Sequence, residues 1–337
     1  MKFASGGAGL GLYQELGRTT LSSTSDSIDV TGLDAKPYLM ILASVLPSGN
    51  IDGYLRFNSD SGTNYASRRQ DNGGSDDTAT SDNEIFFVRG VNAYPTDIEF
   101  GVCTAVNPAS EEKLTISHSV ADGGSGASAF PDRMEAIGKW DNDSDSITSV
   151  SLINNSSGSF ASGSQLVVLG YDPDDSSGDS IWEELASVEL TSSSSTISSG
   201  TISAKKYLYF ECYVEGKSAS SSATIQLNND TASNYARRFV VDGGTERTET
   251  GGSAITMNTA DANPTYFYGY MINTSSEDKL MIVNAENQNS AGAGTAPSRC
   301  EAVNKWVDSA QVTEIDVNIS SGHTAGSGSI LKVWGFD

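Results

Sequence analysis

Apolar positions along this chain recur with a period of two. "TEIDVNI" puts Ile315, Val317 and Ile319 on one face and polar residues on the other, the alternation of a half-buried strand. "KLTISHSV" begins in the same way with Leu114 and Ile116. "PYLMILASVL", "EIFFVRGV", "DIEFGVCTAV" and "QLVVLGY" are strand-length apolar runs rich in β-forming residues. "RMEAIGKW" also reads as a strand, with Arg133, Glu135 and Ile137 alternating with Met134, Ala136 and Gly138. Clusters of Gly, Ser, Asn and Asp between the runs make turns. About eight to nine such runs fall in each half of the chain, roughly 8–12 residues apart, and no long amphipathic helix interrupts them. The pattern predicts an all-β chain built as antiparallel sandwiches of two sheets, with a jelly roll the most economical arrangement.

The pattern is written twice. Asn58, Asp60, Asn64, Tyr65, Ala66 and Arg68 reappear 170 positions later as Asn228, Asp230, Asn234, Tyr235, Ala236 and Arg238. "RMEAIGKW" returns as "RCEAVNKW" 166 positions on, and "GSQLVVLGY" as "GSILKVWGF" after 165. A register held with small slips in the loops is a tandem duplication of a complete domain. It is too long for a solenoid, whose repeats run roughly 20–50 residues. The expected organisation is a Gly-rich arm over 1–12, a sandwich over 13–171, a linker of Pro, Gly, Ser and acid over 172–180, and a second sandwich over 181–337. The arm holds Phe3, Leu10 and Leu12 as apolar contacts for a neighbouring protein.

Charge narrows the partners. With 20 basic and 43 acidic residues among 337, the net charge is −23 and the pI about 4.3. Nucleic-acid binding needs clustered Lys and Arg, so such a chain is a poor partner for it and for anionic lipid. No apolar run approaches the roughly 20 residues of a membrane-spanning helix, so membrane insertion is not expected. Cys103, Cys212 and Cys300 occupy non-equivalent places and read as small buried apolar residues, not as a disulfide framework.

Catalytic chemistry is thinly represented. The two histidines, His118 and His323, are not equivalent in the two copies, and no nucleophile elbow, phosphate loop, dinucleotide fingerprint or His/Cys metal cluster occurs. "DNDSDS", with Asp141, Asp143 and Asp145, has the alternating oxygens of a calcium loop, but it lacks the glycine and closing acid and is not duplicated. It reads as a turn, and neither a metal nor a cofactor is expected. The repeated phrase "NSDSGTNYASRR" reads as a hairpin lock. Tyr65 and Tyr235 would be buried rings with polar tips, and Arg68 and Arg238 would pair with acids such as Glu135 and Glu301.

The ordered motif set resembles a recurring domain in virion proteins of tailed viruses of bacteria and archaea. Its carriers are Asn64, Tyr65, Arg68, Arg133, Glu135, Lys139, Trp140, Gly163, Ser164 and Gly170 in the first copy. In the second they are Asn234, Tyr235, Arg238, Arg299, Glu301, Lys305, Trp306, Gly328, Ser329 and Gly335. "AGAGTAP" at 291–297 belongs to the same pattern and is degraded to "SGASAFP" at 125–131. The resemblance implies a non-enzymatic structural protein of the extracellular particle, a capsid decoration, head or tail fibre, or tail component. Its partners would be copies of itself and other virion proteins. The alternative is a tail-fibre module that contacts a host-surface glycan or protein. Trp140 and Trp306 stand at repeated, packed positions, and Trp182 and Trp334 replace Tyr13 and Leu169, which favours building over glycan binding.

Overall fold

The computed structural model describes residues 12–89, 97–175, 180–257 and 261–337. Phe3 and Leu10 of the arm lie outside them, and Leu12 is exposed. The chain divides into two compact units. The first runs to Gly124 and resumes over Asp132–Trp182; the second holds Ser125–Pro131 and Glu183–Asp337.

Strands of the first unit are β1 (Gln14–Thr20), β2 (Ser27–Thr31), β3 (Tyr38–Val45), β4 (Pro47–Ser48), β5 (Asp52–Phe57), β6 (Tyr65–Asp71) and β7 (Asp77–Asp82). They continue as β8 (Ile85–Arg89), β9 (Glu99–Val106), β10 (Lys113–Ala121), β11 (Asp132–Trp140), β12 (Ser149–Asn154), β13 (Ser159–Phe160) and β14 (Gln165–Tyr171). The second unit has β15 (Glu183–Glu189), β16 (Thr196–Ser198), β17 (Tyr207–Val214), β18 (Ala223–Leu227), β19 (Tyr235–Val241) and β20 (Arg247–Gly252). After these come β21 (Ile255–Thr256), β22 (Thr265–Ile272), β23 (Lys279–Asn287), β24 (Ser298–Trp306), β25 (Ile315–Ile319) and β26 (Ile330–Phe336).

Each unit is an antiparallel sandwich of an eight-stranded and a four-stranded sheet. The first unit's sheets run β1-β14-β3-β9-β10-β11-β6-β7 and β2-β12-β5-β8. The second unit's run β15-β26-β17-β22-β23-β24-β19-β20 and β16-β25-β18-β21. Setting aside β10, β11, β6 and β7 leaves β1-β14-β3-β9 facing β2-β12-β5-β8. That order is an eight-stranded jelly roll, so the extra four strands widen one sheet of it.

The core of each unit lies between its sheets. Leu39, Ile41, Cys103, Leu166 and Val168 meet Ile28, Val30, Leu55, Phe57, Val150 and Leu152 in the first. Leu208, Phe210, Phe267, Met281, Leu331 and Val333 meet Ile197, Ile225, Leu227 and Val317 in the second. Among the described residues no helix is long and apolar enough to cross a membrane.

Two expectations are corrected. The units have more strands than the apolar runs predict, because β6, β7 and β20 are largely polar. The repeated phrase is also not a hairpin. β5 pairs with β12 and β8 in the small sheet, whereas β6 pairs with β11 and β7 in the large one. The phrase is an arch between sheets, and Asn58 and Ser59, at φ 51° and 56°, turn the chain across the sandwich.

Candidate functional site

The repeated motif residues come together at the arch. Asp60 is its hub: Oδ2 accepts from Trp140 Nε1 at 2.8 Å and Asn64 Nδ2 at 2.9 Å, and Oδ1 from the Gly62 amide at 2.8 Å. Asp230 repeats this with Trp306 at 2.7 Å, Asn234 at 2.9 Å and the Ala232 amide at 2.8 Å. Burial alone would raise these carboxyls, but the donated bonds outweigh it and hold both below the ordinary aspartate value. Tyr65 and Tyr235 sit beneath, each hydroxyl accepting from the last amide of the preceding strand and donating to the Asp60 or Asp230 carbonyl. Both indoles are buried. With the indoles and phenols buried and their polar tips bonded within the arch, this cluster braces the two sheets.

Arg68 and Arg238 do not reach Glu135 and Glu301. Register explains why: Arg68 lies opposite Ile137 and Arg238 opposite Val303, two residues away from the glutamates. They pair instead with Asp76 at 3.0 Å and Glu246 at 2.7 Å. Glu135 pairs with Arg133 on its own strand, and Glu301 with Arg299 at 3.2 Å. Lys139 bonds Glu112 at 2.9 Å, while Lys305 is buried.

The outer faces of the large sheets carry the exposed chemistry, and they differ. On the first unit Ile116 stands opposite Ile137, and Leu114 opposite Lys139. Leu114, Ile116 and Ile137 are 55%, 56% and 53% exposed, beside a shallow groove of about 280 Å³ bordered by Arg68, His118 and Glu135. At the equivalent places of the second unit, Leu280, Ile282 and Val303 are buried.

The second unit presents aromatic and polar groups. In β22, Tyr266, Tyr268 and Tyr270 alternate with Phe267, Gly269 and Met271, so the three phenols share the outer face. Strand register aligns them in rows. Glu211, Tyr268, Asn284 and Glu301 lie directly across four strands, and Tyr213, Tyr266, Glu286 and Arg299 form the row beside them. Tyr266 and Tyr268 are 6.2 Å apart between ring centres, Tyr268 is 6.2 Å from Tyr209, and Tyr209 is 5.7 Å from Trp334. A groove of about 250 Å³ runs along Tyr266, Tyr268, Asn284, Glu286, Arg299 and Glu301.

Electrostatics reinforce this face. Burial, against bonds from Tyr209 and Tyr266 and the nearby Lys332, leaves Glu211 above the usual carboxylate range. Burial and then Glu211 push Tyr266 up to about 12. Tyr268 is raised by burial, with its bond to Asn284 partly opposing. The phenols therefore stay neutral donors at physiological pH, next to carboxylate acceptors and one guanidinium. The corresponding rows of the first unit read Leu42, Val102, His118 and Glu135, and Phe100, Val120 and Arg133, so only the Arg–Glu pair is common. Sequence reasoning missed this site, although "TYFYGYM" carries its signal as tyrosine at every second place.

"DNDSDS" folds as a turn in which Asn142 Oδ1 accepts from the Ser144 and Asp145 amides, both at 2.9 Å. Among the described residues no group of three His, Cys, Asp or Glu side chains is placed to hold a metal.

No model of a protein family matches the chain, and no curated protein matches it. Among solved structures, domains LG4-5 of the mouse laminin α1 chain are 10% identical, with a TM-score of 0.20 over 96% of this chain and 90% of that one. Neisserial surface protein A is 6% identical, with a TM-score of 0.12 over 85% of this chain and 99% of that one. The attachment invasion locus protein Ail of Yersinia pestis is 6% identical, with a TM-score of 0.11 over the same shares, 85% and 99%. At such TM-scores none of these likenesses carries an argument about fold or function.

Proposed function

We propose that the chain is a non-enzymatic structural protein of a tailed-virus particle, working by protein–protein assembly, with further copies of itself as its first partner. The virion setting rests on the ordered motifs of both copies. Assembly rests on one observation: Leu114, Ile116 and Ile137 form an exposed apolar cluster on the paired strands β10 and β11. Single exposed apolar residues are ordinary, but a contiguous cluster rimmed by polar groups marks a contact surface. The sister positions Leu280, Ile282 and Val303 are buried, so this apolar face is open in the first unit only. Its rim carries both signs of charge, Arg68 with Asp76 and Lys139 with Glu112, which suits a protein and not a polyanion.

The test is the double substitution Ile116→Lys with Ile137→Lys. Both side chains point to solvent, so the melting temperature should stay close to wild type. Sedimentation should show the variant monomeric under conditions where wild type associates, and the variant should fail to enter particles. Equal association and incorporation would overturn the reading. A second reading, attachment to a host-surface glycan, is favoured by the tyrosine face of the second unit.

A further inference from the structure

We infer that the groove along Tyr266, Tyr268, Asn284, Glu286, Arg299 and Glu301 is a carbohydrate site that takes a short stretch of a neutral hexopyranose chain. This rests on the attachment reading and not on assembly. A pyranose has an apolar C–H face and a rim of hydroxyls, and it needs an aromatic surface flanked by hydrogen-bonding groups. Tyr266 and Tyr268 supply two tilted rings with centres 6.2 Å apart. The row across the strands then places Asn284 and Glu301 beside Tyr268, and Glu286 and Arg299 beside Tyr266. Carboxylate, amide and guanidinium thus lie within one groove as acceptors and donors for vicinal hydroxyls.

The rest of the face supports the two rings. Glu211 accepts from the hydroxyls of Tyr266 and Tyr209, both at 3.4 Å, which fixes the outer edge of the aromatic row. All these groups stand on strands, so the surface is formed before a ligand arrives. The first unit has Phe100 and Val102 where the second has Tyr266 and Tyr268, and Val120 where it has Glu286. The site therefore belongs to one copy only and is not a by-product of the duplicated scaffold.

Charge selects the ligand class. Glu286 and Glu301 line the groove against the single guanidinium of Arg299, which Glu301 already pairs, on a chain of net charge −23, so sialylated or uronic-acid chains are disfavoured and neutral hexoses admitted. At about 250 Å³ the groove is smaller than the roughly 300–1,000 Å³ of ordinary ligand sites, which suits one or two sugar rings and weak single-site binding. Useful adhesion then comes from many copies on one particle.

The experiment uses the intact chain with maltotetraose, cellotetraose, mannotetraose and lacto-N-tetraose as neutral probes and sialyllactose as the acidic one. Binding is read by saturation-transfer NMR and calorimetry. At least one neutral probe should bind with a Kd in the millimolar range, with saturation passing to its ring C–H protons, and sialyllactose should not bind. Tyr268→Ala should weaken binding about tenfold or more, the order expected for one lost stacked ring. Tyr268→Phe should stay within about threefold, since stacking survives and one hydrogen bond is lost. Phe in place of Tyr also guards against a folding artefact in the Ala variant. Binding by none of the neutral probes, preference for sialyllactose, or full binding by Tyr268→Ala would each overturn the site. Particle adsorption to host cells is a separate readout. Probe binding with adsorption unchanged in Tyr268→Ala particles would overturn the attachment reading and leave the site standing.

Discussion

Asp60 and Asp230 show how much of this fold hangs on single side chains. Each carboxylate gathers an indole, an amide side chain and a backbone amide, and so joins the start of the arch to the end of β11 or β24. An asparagine at this place must turn its NH2 group towards a donor. Asp60→Asn should therefore cost about 2 kcal/mol, the scale of lost charge-assisted bonds. The pH dependence carries the signature. Both folded carboxyls titrate below their unfolded value, so their contribution is present above the ordinary aspartate pKa and fades as pH falls through the folded one. The deficit of Asp60→Asn relative to wild type should be full at pH 7 and shrink below about pH 4, the ordinary aspartate value. Denaturant unfolding at several pH values checks this, and a pH-independent deficit would count against the hub.

At the scale of the element, β11 and β24 are one strand written twice with an informative difference. Gly138 stands where β24 has Asn304. A side chain at Gly138 would meet Ile85 at 2.5 Å, so glycine permits close packing there. Asn304 is fully buried, and neither its amide nitrogen nor its oxygen has a hydrogen-bond partner among the described residues. An orphaned buried amide costs about 1–3 kcal/mol. Asn304→Ala should accordingly raise the melting temperature by a few degrees; a lower one would mean that the amide has a partner. Strands were legible wherever one face is apolar and buried, as in β3, β14 and β25. The edge strands β7 and β20 were not, because "DTATSD" and "RTETGG" have no buried face to imprint a pattern. Local sequence also cannot tell whether the strand after a turn joins the same sheet, and so the arch reads as a hairpin. The arginine partners were missed for a related reason, since they depend on cross-strand register. In β22 the outward tyrosines alternate with Phe267 and Met271, so both faces look apolar and polarity does not announce a surface.

On the scale of the whole molecule, duplication keeps a scaffold and frees a surface. Both units have the same strand order and the same arch, yet one exposes Leu114, Ile116 and Ile137 while the other presents a row of half-buried phenols. The identical strand order has a further consequence, in time and not in space. Most pairings in each sandwich join segments distant in sequence, as β1 with β14 or β15 with β26, so folding waits on slow loop closure. During that wait, β14 and β26, equivalent strands that share Leu, Val and Gly at matching places, compete for the same neighbours, and either can dock in the other's slot. The chain should thus refold with a trapped population that resolves only by partial unfolding. Interrupted-refolding experiments should find a slow phase whose amplitude does not change with protein concentration, because the exchange is within one chain. An amplitude that grows with concentration would point to aggregation instead. The likeness that makes the two halves recognisable on paper is what makes them confusable while the chain is folding.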